Sequence, residues 1–199
     1  MIRWRFDRVT ANSFANTLKD KYAKLWTLTT IREDIARKWL MLTLNLSEND
    51  IVVNGIGVLS DEKTDDTWEG DPKKKYDFYI PKYNMYIDIT GTQFTKRQSS
   101  SRLHGMDLKG SYVAVLGVKH AVGLVLQQYY KAKAVIANIA DNEGEIRFIT
   151  VDYITLLKKK GIAISTKEFA KGENEYILIP WKEFWKPSRF KNWLKAFIK

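Results

Sequence analysis

The sequence predicts an α/β fold, a mixed central β-sheet flanked by helices, and two observations carry that expectation. Apolar residues recur at helical spacing in several segments, and β-branched or alternating runs of strand length lie between them. Its 199 residues, 45% of them hydrophobic and 28% charged, are enough to bury a core as one folding unit over 1–199.

Near the start, Ile2, Trp4 and Phe6 alternate with Arg3, Arg5 and Arg8, which reads as a short strand or extended arm. Phe14, Leu18, Tyr22 and Leu25 predict a helix over about 12–26, with Asn12 or Ser13 to cap it. Thr30 and Glu33 have the spacing of a capping box, and Ile31, Ile35, Trp39, Leu42 and Leu46 supply one face of a second helix over about 31–46. A β-branched run at 51–59 predicts a strand, bent at Gly55 and Gly57. Residues 60–75 lack apolar periodicity and pass from acidic to basic, as an exposed loop does. Two short strands at 76–80 and 84–90, joined by Pro81, Lys82 and Tyr83, form a hairpin.

Further on, Tyr112 to Val118 reads as a buried strand and 119–130 as a helix. A second hairpin joins 134–140 to 145–151 through Asp141, Asn142, Glu143 and Gly144. Asp152 is placed to cap a short helix ending near Gly161, and Tyr176 to Ile179 forms a last strand. Pro187 opens a basic amphipathic helix whose Phe190, Trp193, Leu194 and Phe197 face a core or a dimer partner.

The formal net charge is +10, from 33 Lys and Arg against 23 Asp and Glu, so the first partner to consider is a polyanion, and phosphate backbone is the obvious one. With no cysteine, disulfides and thiolate metal sites are excluded. The N-terminal residues lack the apolar run of a signal peptide, and no uncharged stretch is long enough to span a bilayer, so the expectation is a cytoplasmic protein without membrane contact. No Walker loop appears, and His104 and His120 have no spacing that makes a zinc motif. The acidic set from Asp61 to Asp71 lacks the EF-hand order and reads as a solvated loop.

Chemistry is concentrated in the first hairpin. Alternation sets Asp77 opposite Tyr76, Phe78 and Ile80, and sets Asp88 and Thr90 opposite Met85, Ile87 and Ile89. If the two strands share a core, both aspartates emerge on one side. Two half-buried carboxylates repel each other unless a proton or a cation intervenes, and Mg²⁺ or Mn²⁺ does so with oxygen ligands. Such an ion polarises phosphate and acidifies water, which is the chemistry of phosphodiester hydrolysis.

This segment resembles the PD-(D/E)XK nuclease superfamily, and among its members archaeal Holliday-junction resolvases and nuclease-like proteins of archaeal viruses or plasmids. The resemblance rests on element order, a helix, three strands, a helix and a strand over about 30–118, with an aspartate opening the second strand and an acidic-X-lysine motif on the third. Here Asp77 and Asp88 stand at those places, eleven residues apart. The resemblance implies a restriction-endonuclease-like core with a C-terminal extension over about 131–199. It also implies a metal-dependent DNA endonuclease, acting on DNA that includes branched or junction forms, with a homodimer and, for a viral protein, the host cytoplasm as corollaries.

In that reading Asp77, Asp88 and Glu33 hold the metal, and Lys73, Lys74 and Lys75 form a basic lip for DNA. Tyr76 stands where the motif has proline, and Thr90 where it has lysine. A threonine supplies no positive charge, so Lys96 is expected to replace the catalytic lysine, with Arg97 beside it as a DNA contact and Gln93 as a polar alternative. Two other functions fit the same sequence: a nuclease fold that binds DNA without cutting it, and an unrelated basic domain that binds RNA or protein.

Overall fold

The computed structural model describes residues 21–54, 71–92, 100–103, 106–109, 111–141, 144–166 and 175–196, without the side chains of 21–28, 100–103 and 106–109. The expected arm at 2–9, most of the helix at 12–26, and His104, Gln93, Lys96 and Arg97 lie outside the described residues.

One helix, α1 (Lys21–Leu44), runs where two were expected. Neither Gly nor Pro interrupts 21–44, so Thr30 continues the helix and makes no capping box with Glu33. Asn45, with φ 53°, ends it in the left-handed region. The buried row is Ala36, Leu40 and Leu44, while Leu42 is 67% exposed. Positions spaced by four share a face, and Leu42, two places from Leu40, turns to the opposite side.

Strand β1 (Val52–Val53) pairs antiparallel with β2 (Phe78–Ile80), and a 3-10 turn at Pro81–Tyr83 leads into β3 (Met85–Thr92), antiparallel to β2. The hairpin closes at Asn84, whose φ of 44° makes the turn. Strands β4 (Ser100–Leu103) and β5 (Met106–Lys109) pair with each other, and β6 (Tyr112–Leu116) then runs directly into helix α2 (Gly117–Tyr130). From α2 the chain enters β7 (Lys133–Ala140), parallel to β3, and turns back at Gly144 into β8 (Glu145–Thr150). The main sheet therefore has the order β1-β2-β3-β7-β8.

Helix α3 (Val151–Lys159) follows, with Thr150 as its N-cap residue and Asp152 inside its first turn, so Asp152 is not the cap. Strands β9 (Ile164–Ser165) and β10 (Tyr176–Pro180) join β6 in a second antiparallel sheet, β6-β10-β9, and helix α4 (Pro187–Lys195) follows β10. Among the described residues no helix is long and apolar enough to cross a membrane.

The helix, three strands, helix and strand of the expected core are present as α1, β1, β2, β3, α2 and β7, but their span differs from 30–118. The run at 112–118 does not supply the last core strand: β6 lies in the small sheet, and the parallel strand is β7 at 133–140. Apolarity alone could not tell them apart. Burial does, since β6 alternates covered and partly open residues whereas β7 is buried from Ala134 to Ala140.

Each face of the main sheet has its own cover. Ala36, Leu40 and Leu44 of α1 and Phe190 and Leu194 of α4 pack with Phe78, Ile80, Ile87, Val135, Ala137 and Phe148. The apolar side of α4 is thus spent within the chain, which removes it as the expected dimer surface. On the opposite face α2 packs over Tyr86 and Ala134, and α3 with the small sheet packs over Ile136 and Ile149.

Candidate active site

Strands β2 and β3 pair Phe78 with Ile87, Tyr79 with Tyr86 and Ile80 with Met85. Asp77 stands one residue before β2, where its Oδ2 accepts from the N–H of Ile89, so its carboxylate lies beside Asp88, and Asp88 shares the face of Tyr86. It is the face beneath α2, where Tyr79 and Tyr86 stack with ring centres 4.4 Å apart. Phe78, Ile80, Met85, Ile87 and Ile89 turn to the α1 side, as alternation predicts. Tyr76 does not: ahead of β2 it packs against Val122 and Leu126 of α2. The aspartate-bearing face is therefore covered, and Asp88 is only 5% exposed, which excludes a solvated amphipathic hairpin.

Each aspartate has a partner of opposite character. The Ile89 N–H donates to Asp77 Oδ2 at 2.6 Å. Lys119, in the first turn of α2, brings Nζ to 2.7 Å from Asp88 Oδ1 and donates to the Lys75 carbonyl at 2.6 Å. Burial pushes the Asp77 carboxyl up to about 8, and the Asp88 charge adds to the rise against the opposing pull of Lys119 and the Ile89 N–H. Glu33 of α1 shares the same field: burial raises it first, Asp88 raises it further, and Lys119 lowers it. Residues 33, 77 and 88 are thus brought into one electrostatic unit around Lys119.

Lys119 is the residue the sequence reading missed. The resemblance pointed to a lysine two places after Asp88, but Thr90 stands there, and the cation arrives from the helix that leads into β7. One signal was available. A lysine in the first turn of a helix opposes the helix dipole, so its presence there calls for an acidic neighbour. Tyr76 is the other departure from the motif, and the two are linked in space: the Tyr76 hydroxyl donates to the Lys119 carbonyl at 2.9 Å, fixing the turn that carries the cation. Burial first, then Asp88 and Asp77, raises the Tyr76 phenol well above its ordinary value, so it stays a neutral donor.

The expected basic lip is divided. Pro72–Lys75 form a 3-10 turn capped by Asp71, which accepts from the Lys73 N–H at 3.0 Å. Lys75 contributes its carbonyl to the site, whereas Lys73 lies over the Tyr130 ring at 4.5 Å, at the far end of α2. The Lys73 ammonium is thus directed along α2 toward its C-terminal end and away from Lys119. Lys74 is exposed. His120 is buried with Nε2 3.0 Å from Thr155 Oγ1, and burial lowers it to about 4, so it is a neutral structural residue at pH 7.

Among the described residues no three Asp, Glu or His side chains close into a ready metal cage. The donor chemistry still fits a hard divalent cation. The Asp77 and Asp88 carboxylates interact, and burial first and the Asp88 charge second hold Asp77 high, a conflict that a hard divalent cation with oxygen ligands would relieve. Asp77 and Asp88 are the residues that would hold the ion, with Glu33 in reach of the same field.

The family model described as Viral/Archaeal nuclease matches residues 13–192. The chain belongs to that family. This nuclease is also similar to the solved structure of a nuclease from a fusselovirus, at 20% identity and a TM-score of 0.47, over 82% of this chain and 85% of that one. No curated protein matches it by sequence.

Proposed function

We propose that the chain is a metal-dependent endonuclease of the PD-(D/E)XK type that cuts DNA, including branched or junction DNA, by phosphodiester hydrolysis. What supports this reading is the interaction of the Asp77 carboxylate, held by the Ile89 N–H, with Asp88, and the Lys119 ammonium on Asp88. Asp77 and Asp88 bind Mg²⁺ or Mn²⁺, and Glu33 adds negative charge from α1. When bound, the ion supplies a Lewis acid for the phosphate and a more acidic water. Lys119 offsets the negative charge that develops on the attacked phosphate, the role Thr90 cannot fill. Tyr76 holds Lys119 at its post through the backbone of α2. Lys74 and Lys75 lie on the turn that precedes Asp77 and serve as phosphate contacts, Arg97 is a further DNA contact, and Lys96 is a second candidate for the catalytic cation. A homodimer belongs to the same reading, because a branched substrate with two-fold symmetry presents two equivalent strands.

Lys119 favours an active enzyme over a fold that only binds DNA. The test is incubation of labelled branched, duplex and single-stranded DNA with the protein, with and without Mg²⁺. Internal cleavage that requires Mg²⁺ and disappears in Asp88→Ala is the expected result. Binding without cleavage in either metal would establish the accessory role instead, and absence of DNA affinity would overturn both. Sedimentation at micromolar concentration checks the dimer.

A further inference from the structure

Asn138 of β7 is completely buried and stands opposite Thr90 in the parallel β3-β7 register. Ile136, two places earlier, is opposite Asp88 and packs toward the α3 side of the sheet. Asn138 therefore shares the aspartate-bearing face, about 7 Å further along the strand than the Asp88 rung. Its Nδ2 donates to Thr92 Oγ1 at 2.9 Å, but among the described residues its Oδ1 has no hydrogen-bond partner.

The neighbouring strand does not satisfy it. Arg147 lies opposite Asn138 on β8, yet its guanidinium is engaged by the Glu145 carboxylate and the Trp181 carbonyl. An unpaired buried amide oxygen costs about 1–3 kcal/mol, so a donor beside it would be stabilising, and none of the described residues supplies one. On that face Thr92 is hydrogen-bonded to the amide, Thr90 is its register partner, and Asp88 lies two residues earlier on β3.

We infer that Asn138 is a positioning residue of the active site, whose amide oxygen accepts a hydrogen bond from water held beside Asp88 in the hydration shell of a divalent cation. The inference rests on the reading of Asp77 and Asp88 as metal ligands. It assigns the β7 strand, which the motif does not include, a part in metal affinity. Outer partners of this kind are worth a tenfold to hundredfold change in metal binding.

The test measures Mn²⁺ affinity by calorimetry on the full chain, with thermal unfolding in parallel, for the parent, Asn138→Ala and Asn138→Asp. Expected are binding at least about tenfold weaker in Asn138→Ala and undiminished or tighter in Asn138→Asp, whose carboxylate is the stronger acceptor. Should Asn138→Ala fail to fold, the near-isosteric Asn138→Asp decides alone, through a Mn²⁺-induced rise in Tm at least as large as the parent's. Variants that lose thermal stability while both keep the parent's Mn²⁺ affinity would show a structural residue, or one that holds a structural water, and overturn the inference alone. A parent that binds no Mn²⁺ refutes the reading of Asp77 and Asp88 as ligands, and this inference with it.

Discussion

Raising the pH of the metal-free nuclease from 6.5 to 8 should destabilise it, and Asp77→Asn should abolish the effect. Asp77 ordinarily ionises at 3.8 and in the fold is pushed up to about 8, first by burial and then by Asp88. Between those values the folded chain keeps a proton that the unfolded chain has released. Stability then falls as pH rises, by about 1.4 kcal/mol per unit for one proton, until the folded carboxyl also ionises. Glu33, raised by burial and Asp88, acts in the same direction. His120 acts in the opposite one: lowered from 6.5 to about 4, it makes stability rise with pH in that interval. The two effects offset each other below pH 6.5, and the Asp77 slope emerges above it. Titration flattens near 8, leaving a loss of about 2 kcal/mol, or about 4–8 °C in Tm for a chain of this size. Thermal unfolding by circular dichroism in chelator, at intervals from pH 6.5 to 8, measures it. Mg²⁺ at pH 8 should restore Tm in the parent and leave Asp77→Asn nearly unchanged. A parent whose Tm is flat or rising across the window, or an Asp77→Asn variant with the parent's slope, would refute the account of the carboxylate pair.

Three further outcomes follow from the packing. Lys119→Met should reduce cleavage by about 100-fold or more while Mn²⁺ binding persists, because the substitution removes a charge from the phosphate and not a ligand from the metal; single-turnover cleavage and calorimetry separate the two. In Gly123→Ala the added Cβ would meet the Tyr76 hydroxyl and the Val151 side chain, so a stability loss of about 1–3 kcal/mol should accompany lower cleavage as the seat of Lys119 shifts. Phe190 is fully buried and stacks on Phe148 at 4.0 Å, so Phe190→Ala should cost about 3–5 kcal/mol in denaturant unfolding, against little change if the helix were a docking surface.

Local patterns made most of the elements legible. Both hairpins, the helix at 119–130 and the proline-led terminal helix announce themselves through turn residues and periodicity, and the closeness of Asp77 to Asp88 followed from alternation plus a shared core. What failed were decisions that depend on distant contacts. The Thr30 and Glu33 spacing is that of a cap, but α1 is continuous because nothing between 21 and 44 breaks it and the sheet supports its whole Ala36, Leu40, Leu44 row. Tyr76 obeys alternation in sequence but is drawn beneath α2 by its hydroxyl bond and its apolar neighbours. The strand that completes the core was sought at 112–118 because that run is apolar, and which of two apolar runs pairs with β3 is a property of the sheet, not of either segment.

Lys119 reaches Asp88 from the first turn of α2 and not from β3. Two unit charges about 4 Å apart attract by about 4 kcal/mol at the effective permittivity of a protein surface, whereas the first turn of a helix penalises a cation by about 0.3–1 kcal/mol. Contact with Asp88, net of the desolvation of both charges, opposes that penalty at the N-terminus of α2. A lysine on β3 would project onto the same face from the strand itself. One on α2 reaches the face from above, provided the helix is held at the right height, and the Tyr76 hydroxyl does that from the position before Asp77. Tyr76 thus ties the residue before Asp77 to the turn that carries the Asp88 ion-pair partner, so the positions of the two aspartates and of Lys119 are set together.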